Sequence, residues 1–340
     1  MNPVTAILIG AGARGQIYAR YAQEHPEELR IIAVAEPKAD RRALMCRAYG
    51  IPADRAFSNW EDLMARPQMA DAALICTLDD MHTEPTLAAL KQGYHVLLEK
   101  PMSNSETECR AIAAAAEEAQ RVLSVCHVLR YTPFYRTIKQ LIDDGQVGEV
   151  ASLSQVENVG YWHHAHSFVR GNWRCSEQTS PMILQKSCHD MDILLWLSGQ
   201  RCTRVSSFGS LHHFDAAHAP QDAPLRCTDG CPHSVVCPYD AGKIYLTDNV
   251  GLPTDMLTTD LSREGRLKAL REGPYGRCVY HCDNDVVDRQ VVNLEFDNGA
   301  VAGFTMTAFT TDMARQLKVC GTKGQITADM NENTVSLHRF

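Results

Sequence analysis

The apolar run Val4–Ile9 passes without a break into Gly10-Ala-Gly12-Ala13-Arg14-Gly15, and this junction constrains the fold more than any other stretch of the chain. A strand that ends in G-x-G-x-x-G and opens directly into a helix gives the glycines a physical meaning. They permit a tight turn and close backbone approach, while the helix N-terminus offers unpaired N–H groups to a pyrophosphate. Glu36 closes the second apolar run, Leu29–Ala35, 21 residues after Gly15. A carboxylate there can accept hydrogen bonds from an adenosine ribose 2′-OH, which favours NAD over NADP, although Lys38, Arg41 and Arg42 follow closely and would suit a 2′-phosphate.

The alternation continues. Ala72–Cys76, Tyr94–Leu98 and Val122–Cys126 read as further short strands, separated by helical stretches. Two of those stretches open on S-x-x-E, Ser58 with Glu61 and Ser105 with Glu108, which predicts reciprocal capping boxes. Residues 1–127 therefore read as an α/β Rossmann domain with a doubly wound parallel sheet. After Pro133 comes an amphipathic helix ending near Gly145, and then the pattern changes. Glu149–Val159 is strand-like, Gly160–Met182 has loop character, and Cys188–Leu197 is helical and closes with Ser198-Gly199. Val205–His213, Val286–Phe296, Ala300–Phe309, Gln316–Cys320 and Gln325–Ala328 read as strands joined by turns such as Asp297-Asn298-Gly299. This predicts a second, α+β domain over 128–340 with a mainly antiparallel open sheet and a Cys-rich insertion near 217–285.

The chain has 340 residues, 33 Lys+Arg against 41 Asp+Glu, and 45% apolar residues. A net charge of −8 without a basic block argues against nucleic-acid binding. No apolar stretch approaches a membrane span, and the start lacks the basic n-region of a secretory leader, so a cytoplasmic protein with no membrane partner is expected. Thirteen cysteines, an odd number, exclude a complete secreted-type disulfide framework without a leftover thiol.

Leu98-Glu99-Lys100-Pro101, following Thr77-Leu-Asp-Asp-Met-His82, resembles the signature of the glucose-fructose oxidoreductase/inositol dehydrogenase (Gfo/Idh/MocA) family. The resemblance implies a Rossmann domain carrying NAD(P), a C-terminal domain forming a substrate cleft and an oligomer sheet, and hydride chemistry on sugars, inositols or related polyols. It makes Lys100 a catalytic and substrate-binding residue, places Thr77, His82 and Glu99 beside the cofactor, and implies a homodimer or homotetramer. Independently, a lysine at an apolar strand end beside a dinucleotide pocket is placed to exchange a proton with a substrate hydroxyl.

Leu184-Gln185-Lys186-Ser-Cys-His189-Asp190-Met-Asp192 is a second constellation. The family often shows Asp-x-x-x-His-x-x-Asp here, and His189 and Asp192 match while Gln185 stands for the earlier aspartate. Lys186 and His189 would share a helix face, so Lys186 is expected to supply the missing polar partner. Between Gly160 and Arg174 lie Tyr161, Trp162, His163, His164, His166, Arg170, Trp173 and Arg174. Aromatic faces that pack on sugar C–H groups, with His and Arg for hydroxyls, suit a sugar pocket, and the two arginines would suit an anionic substituent. Finally, Cys227-x3-Cys231-x5-Cys237, with Cys278-x3-Cys282 further on, predicts a structural zinc site closed by Cys278 or Cys282. An iron–sulfur cluster and reduced unliganded cysteines are the alternatives. Three activities remain open on these residues: an NAD-dependent sugar or glycoside dehydrogenase, an NAD-dependent glycosidase working by transient oxidation, elimination and re-reduction, and a non-catalytic NAD-binding sensor.

Overall fold

The computed structural model describes residues 2–340, which fall into two compact units, one up to Cys126 and one from His127 onward. In the first unit, β1 (Val4–Ile9), β2 (Leu29–Ala35), β3 (Ala56–Phe57), β4 (Ala72–Ile75), β5 (His95–Leu98) and β6 (Leu123–Val125) form a parallel sheet in the order β3-β2-β1-β4-β5-β6. These strands are apolar on both faces because both are covered. Alternate residues of β1 enter opposite layers. Ile7 and Ile9 pack with Leu90 and Ile112 on one side, while Ala6 and Leu8 pack with Ala19 and Met45 on the other. The order reverses between β1 and β4, so a switch point opens at the carboxyl ends of these strands, where open α/β sheets bind ligands.

The second unit is built on a seven-stranded sheet. Its strands are β7 (Val150–Asn158), β8 (Cys202–Ser210), β9 (Arg289–Phe296), β10 (Val301–Thr307), β11 (Ala314–Gly321), β12 (Gly324–Asp329) and β13 (Thr334–Arg339), in the order β13-β12-β11-β7-β10-β9-β8. All neighbours are antiparallel except β7 and β10, which are parallel at the centre. Helices Pro133–Asp143 and Cys188–Ser198 cover one face, with Tyr135, Ile138, Ile193 and Leu197 packed on Leu153, Phe304 and Val319. Thr132 caps the first of these helices, and Gly199, in the left-handed region at φ 64°, ends the second.

Four local expectations change. The helix at Trp60–Met64 is capped by Asn59, whose Oδ1 accepts from Asp62 N–H at 2.7 Å, one residue past the expected Ser58. The Ser105 box is half made: Ser105 Oγ receives Glu108 N–H at 3.5 Å, but the Glu108 carboxylate turns to Thr83 and Ser103 instead of returning to the cap. The expected loop after Gly160 begins as helix, Tyr161–His164 followed by a π-type turn over Ala165–Arg170, because seven consecutive residues from His164 to Arg170 are buried and need internal backbone partners. The edge strands β3 and β13 were not expected. Residues 211–288, between β8 and β9, form an insertion with helices Ala241–Tyr245 and Arg263–Glu272 and an apolar cluster around Phe214 and Tyr239. Among the described residues no helix is long and apolar enough to cross a membrane.

Candidate functional site

At the end of β1 the chain turns through Gly10 at φ +90°, where an added Cβ would stand 2.5 Å from the Cys76 carbonyl oxygen, so side chains are excluded by conformation and by contact alike. Gly12 differs. It is the N-cap of helix Ala13–Glu24 in extended backbone, it has no side chain to cap the first N–H groups, and a Cβ built there meets only Arg41 Nη1 at 3.9 Å. The fold does not need glycine at 12, whereas a phosphate seated on the N–H groups of Ala13, Arg14 and Gly15 does. Gly12→Val is therefore expected to weaken NAD binding more than about 100-fold while the melting temperature stays within about 3 °C of wild type. Calorimetric titration with NAD and a thermal scan check both halves, and unchanged affinity would remove the cradle.

Glu36 is buried at the end of β2, where Oε2 accepts the Ala11 N–H at 2.8 Å and Oε1 accepts the Lys38 N–H at 2.9 Å. Each oxygen keeps a lone pair for a ribose hydroxyl. Arg42, expected as a 2′-phosphate candidate, spends its guanidinium on the Glu36 and Pro37 carbonyls instead. Beyond β5, Glu99 is buried. It accepts the Tyr18 hydroxyl and, at 3.0 Å, the Lys100 N–H, with Arg14 Nε 3.8 Å away. The Lys100–Pro101 bond is cis. His82 Nδ1 donates to the Pro101 carbonyl at 2.7 Å, and its other nitrogen lies 3.3 Å from the Thr77 carbonyl. Fully buried, His82 holds two loops together rather than meeting a ligand directly. Lys100, half-buried at the carboxyl end of β5, is thus fixed from both sides.

In the second unit, Lys186 and His189 do not share one helix. A short helix ends at Gln185 and the next begins at Cys188, with Ser187 at the break. Lys186 is largely but not fully buried, with Nζ 3.1 Å from Glu157 Oε1. Arg315 bridges Glu157 and Asp190 at 2.8 Å each, and Gln155 donates to Asp190 at 2.5 Å. Burial lowers the Lys186 ammonium below its ordinary range, with Glu157 opposing, and raises the Glu157 carboxyl. Burial and the Lys186 charge hold His163 well below the usual imidazole range, so it is neutral, and its Nδ1 donates to the Val159 carbonyl at 3.2 Å. Its Nε2 is then the basic face. The buried His189 ring stands edge-on to His127, 6.0 Å between centroids. Asp192 is gripped by Arg130 at 2.7 and 2.6 Å and lies 3.9 Å from His127.

The expected sugar-binding segment divides. Tyr161, Trp162 and His163 stay partly exposed. Trp173 packs against the core near Phe168. Arg174 is paired with Asp283, which Arg277 also holds, and the two guanidiniums keep that carboxyl well below the usual carboxylate range. His166 is buried, 2.9 Å from the Tyr245 hydroxyl and stacked on Tyr275. Arg170 is completely buried against the insertion. Arg170 and Arg174 thus do not form the anion clamp expected of them, because Arg170 is completely buried against the insertion and Arg174 is already paired with Asp283. Four residues missed in the sequence are Arg130, His127, Glu157 and Arg315. The H-x-x-R spacing just after β6 was a signal for the first two, whereas nothing local marks the other pair.

The profile described as oxidoreductase family, NAD-binding Rossmann fold (Gfo/Idh/MocA) matches residues 4–127, and that family's C-terminal alpha/beta domain matches residues 139–339. Inositol 2-dehydrogenase of Corynebacterium glutamicum is 28% identical over 199 residues, 58% of this chain and 55% of the relative. A 1,5-anhydro-D-fructose reductase of Ensifer adhaerens is 30% identical over 48% of this chain and 47% of its own. These matches span only about half the length of the curated relatives. Among solved structures, levoglucosan dehydrogenase with NADH and levoglucosan aligns with a TM-score of 0.72 at 18% identity, covering 99% of this chain and 76% of that one. The WlbA dehydrogenase of Bordetella pertussis, with NADH and UDP-GlcNAcA, aligns with a TM-score of 0.69 at 16% identity, covering 100% and 84%. At such identities the likeness is one of fold.

Proposed function

Because this chain belongs to the Gfo/Idh/MocA oxidoreductase family with its NAD-binding Rossmann fold, we propose that it is an NAD-dependent dehydrogenase acting on a ring hydroxyl of a sugar, polyol or glycoside. The observation that carries this reading is Lys100, held at the carboxyl end of a parallel strand beside the switch point by Glu99 on one side and the His82–Pro101 contact on the other. The named activities of the sugar-processing relatives agree with it.

When bound, the nicotinamide supplies a hydride acceptor. The chain supplies the rest. Gly12 and the helix start at Ala13 cradle the pyrophosphate, and Glu36, each of whose oxygens keeps an acceptor lone pair, favours the ribose hydroxyls of NAD over the 2′-phosphate of NADP. Lys100 takes the hydroxyl proton as the carbon loses its hydride, and Glu99 positions it. In the second unit, the neutral His163 and the buried His189 are suited to sugar hydroxyls, Trp162 offers an aromatic face, and Lys186, kept in place by Glu157, adds a donor. Arg130 fixes Asp192, whose carboxylate lies 3.9 Å from His127. The proposal includes a cytoplasmic homo-oligomer formed through the open face of the second sheet, where Ser154, Gln316, Lys318 and Thr327 line a shallow hollow and the edge strand β8 exposes Val205 and Phe208.

A panel of inositols, sugars and nitrophenyl glycosides, incubated with NAD while NADH absorbance and released aglycone are followed together, tests the reaction. NADH formed in proportion to substrate is expected. Aglycone released in an NAD-dependent way without net NADH would replace the dehydrogenase by a redox-cycling glycosidase.

A further inference from the structure

In the insertion, three cysteines within eleven residues and a fourth some forty residues later line one void. An antiparallel bridge pairs Arg226 with Arg277, with Cys227 N–H donating to the Gly276 carbonyl at 2.9 Å and Cys278 N–H to the Leu225 carbonyl at 2.8 Å, so Cys227 and Cys278 leave adjacent strands. Between them in sequence the chain makes a compact turn in which Ser234 N–H donates to the Cys231 carbonyl at 3.3 Å and Cys237 N–H to the His233 carbonyl at 2.8 Å. Cys227, Cys231, Cys237 and Cys278 line one void of about 20 Å³. Cys282 does not line it, and its thiol donates to the Cys278 carbonyl at 3.3 Å. None of the thiols is in a disulfide.

Arg170 also lines this void, and it is the second observation. Its guanidinium is completely buried. Nε donates to the Arg277 carbonyl and Nη2 to the Tyr239 carbonyl, both at 2.7 Å, with Nη2 also 3.6 Å from Cys227 Sγ. Nη1 has no hydrogen-bond partner, and among the described residues no carboxylate forms an ion pair with Arg170. The one carboxylate lining the void, Asp240, turns Oδ1 to the Gly242 and Lys243 N–H groups and forms no ion pair with Arg170, so the buried cation bears a desolvation penalty of several kcal/mol without a contacting counter-charge. Thiolates would supply that charge.

We propose that Cys227, Cys231, Cys237 and Cys278 bind a single zinc ion, with Arg170 as the buried counter-charge. On binding, the four thiols release their protons to solvent and each sulfur donates one lone pair to the metal, with no change of oxidation state. The resulting tetrathiolate centre carries two negative charges, of which Arg170 balances one. A zinc–sulfur bond of about 2.3 Å brings tetrahedral sulfurs to roughly 3.8 Å from one another. The sulfurs here stand wider: among the described residues the only donor groups mutually within 4.8 Å are the exposed His25, Glu27 and Glu28. A void of this size takes one ion but not a cluster of several irons, and binding would draw the four sulfurs inward. The site ties the insertion to the helical stretch ending at Arg170, and it does not depend on the dehydrogenase reading.

Protein purified from zinc-replete medium without chelator is expected to carry about one zinc per chain by elemental analysis. Cobalt(II) exchanged into the wild-type protein should show sulfur-to-cobalt charge transfer and intense tetrahedral d–d bands. Strong chelator should expose about four additional thiols to a thiol-reactive dye. Cys231→Ser and Cys278→Ser should lose the metal, while Cys282→Ser keeps it. Wild-type protein with neither zinc nor a tetrahedral cobalt spectrum overturns the proposal, and this reading is independent of whether any variant folds. Iron with a broad visible absorption that bleaches on reduction overturns the assignment to zinc, and loss of metal in Cys282→Ser as complete as in Cys278→Ser overturns the ligand set.

Discussion

Lys100→Ala is expected to bind NAD within about threefold of wild type and to turn over about 1,000-fold more slowly, since a positioned proton-transfer group contributes roughly 10²–10⁴ in rate. The side chain lies beyond the strand, and the backbone N–H that meets the buried Glu99 survives the replacement, so the nucleotide cradle stays in place. Lys100→Arg sharpens the test. A guanidinium keeps the positive charge but does not give up its proton at accessible pH, so it should be nearly as slow as alanine. Steady-state kinetics with the substrate found in the panel, alongside NAD titration, decide the matter. An arginine variant with near-wild-type kcat would assign Lys100 an electrostatic role only.

Acid should destabilise the protein steeply through two histidines. His164 is fully buried between the rings of Phe168 and Phe214, at 5.5 and 5.3 Å, and neither ring nitrogen has a hydrogen-bond partner. Burial pushes its pKa down to about 3, and burial with the neighbouring Arg170 charge pushes His166 down to about 4. In the unfolded chain both titrate near 6.5. The folded state therefore binds fewer protons between these values. The stability is fully present above about pH 6.5 and is lost as pH falls toward the folded pKa values. Between pH 7 and 5 each group accounts for about 2 kcal/mol, so the pair accounts for about 4 kcal/mol, against a total of roughly 5–15 kcal/mol for a typical domain. Urea unfolding at the two pH values should show at least this loss, since His163, also held well below the usual range, adds to it, and His164→Leu should reduce it by about 2 kcal/mol because leucine has no proton to bind. The same pH slope in wild type and variant would refute the assignment.

What was legible in the sequence is what local spacing encodes. Gly10 to Gly15 after a strand, Glu36 at the end of the next and the Glu99-Lys100-Pro101 run each lie in a single turn or strand end, and the structure builds the nucleotide unit around them. The Asn59 cap was missed because Ser58 also fits the pattern, and only the backbone decides between neighbours. The second unit was harder for a different reason. Glu157, Asp190 and Arg315 come from three elements spread over more than 150 residues, and their ion pairs exist only once the sheet has formed. Arg170 and His166 read as sugar ligands because residue type says nothing about direction, and packing turned both inward toward the insertion. The edge strand β13 turns only Val335 and Leu337 to the core, an alternation too short to mark a strand by itself.

The parallel pairing of β7 with β10 has a consequence for how the chain comes off the ribosome. β7 emerges early, yet both strands that flank it, β10 and β11, lie beyond the insertion at residues 301–321. At about 5–20 residues per second, its hydrogen-bonding edges and its future buried glutamate wait on the order of 10 s for partners. The nucleotide unit can complete itself during that interval, since all its strands precede β7. Synthesis of this chain is therefore a two-stage event with a half-built sheet exposed between the stages, and that interval is when the nascent protein is most open to aggregation and to capture by chaperones.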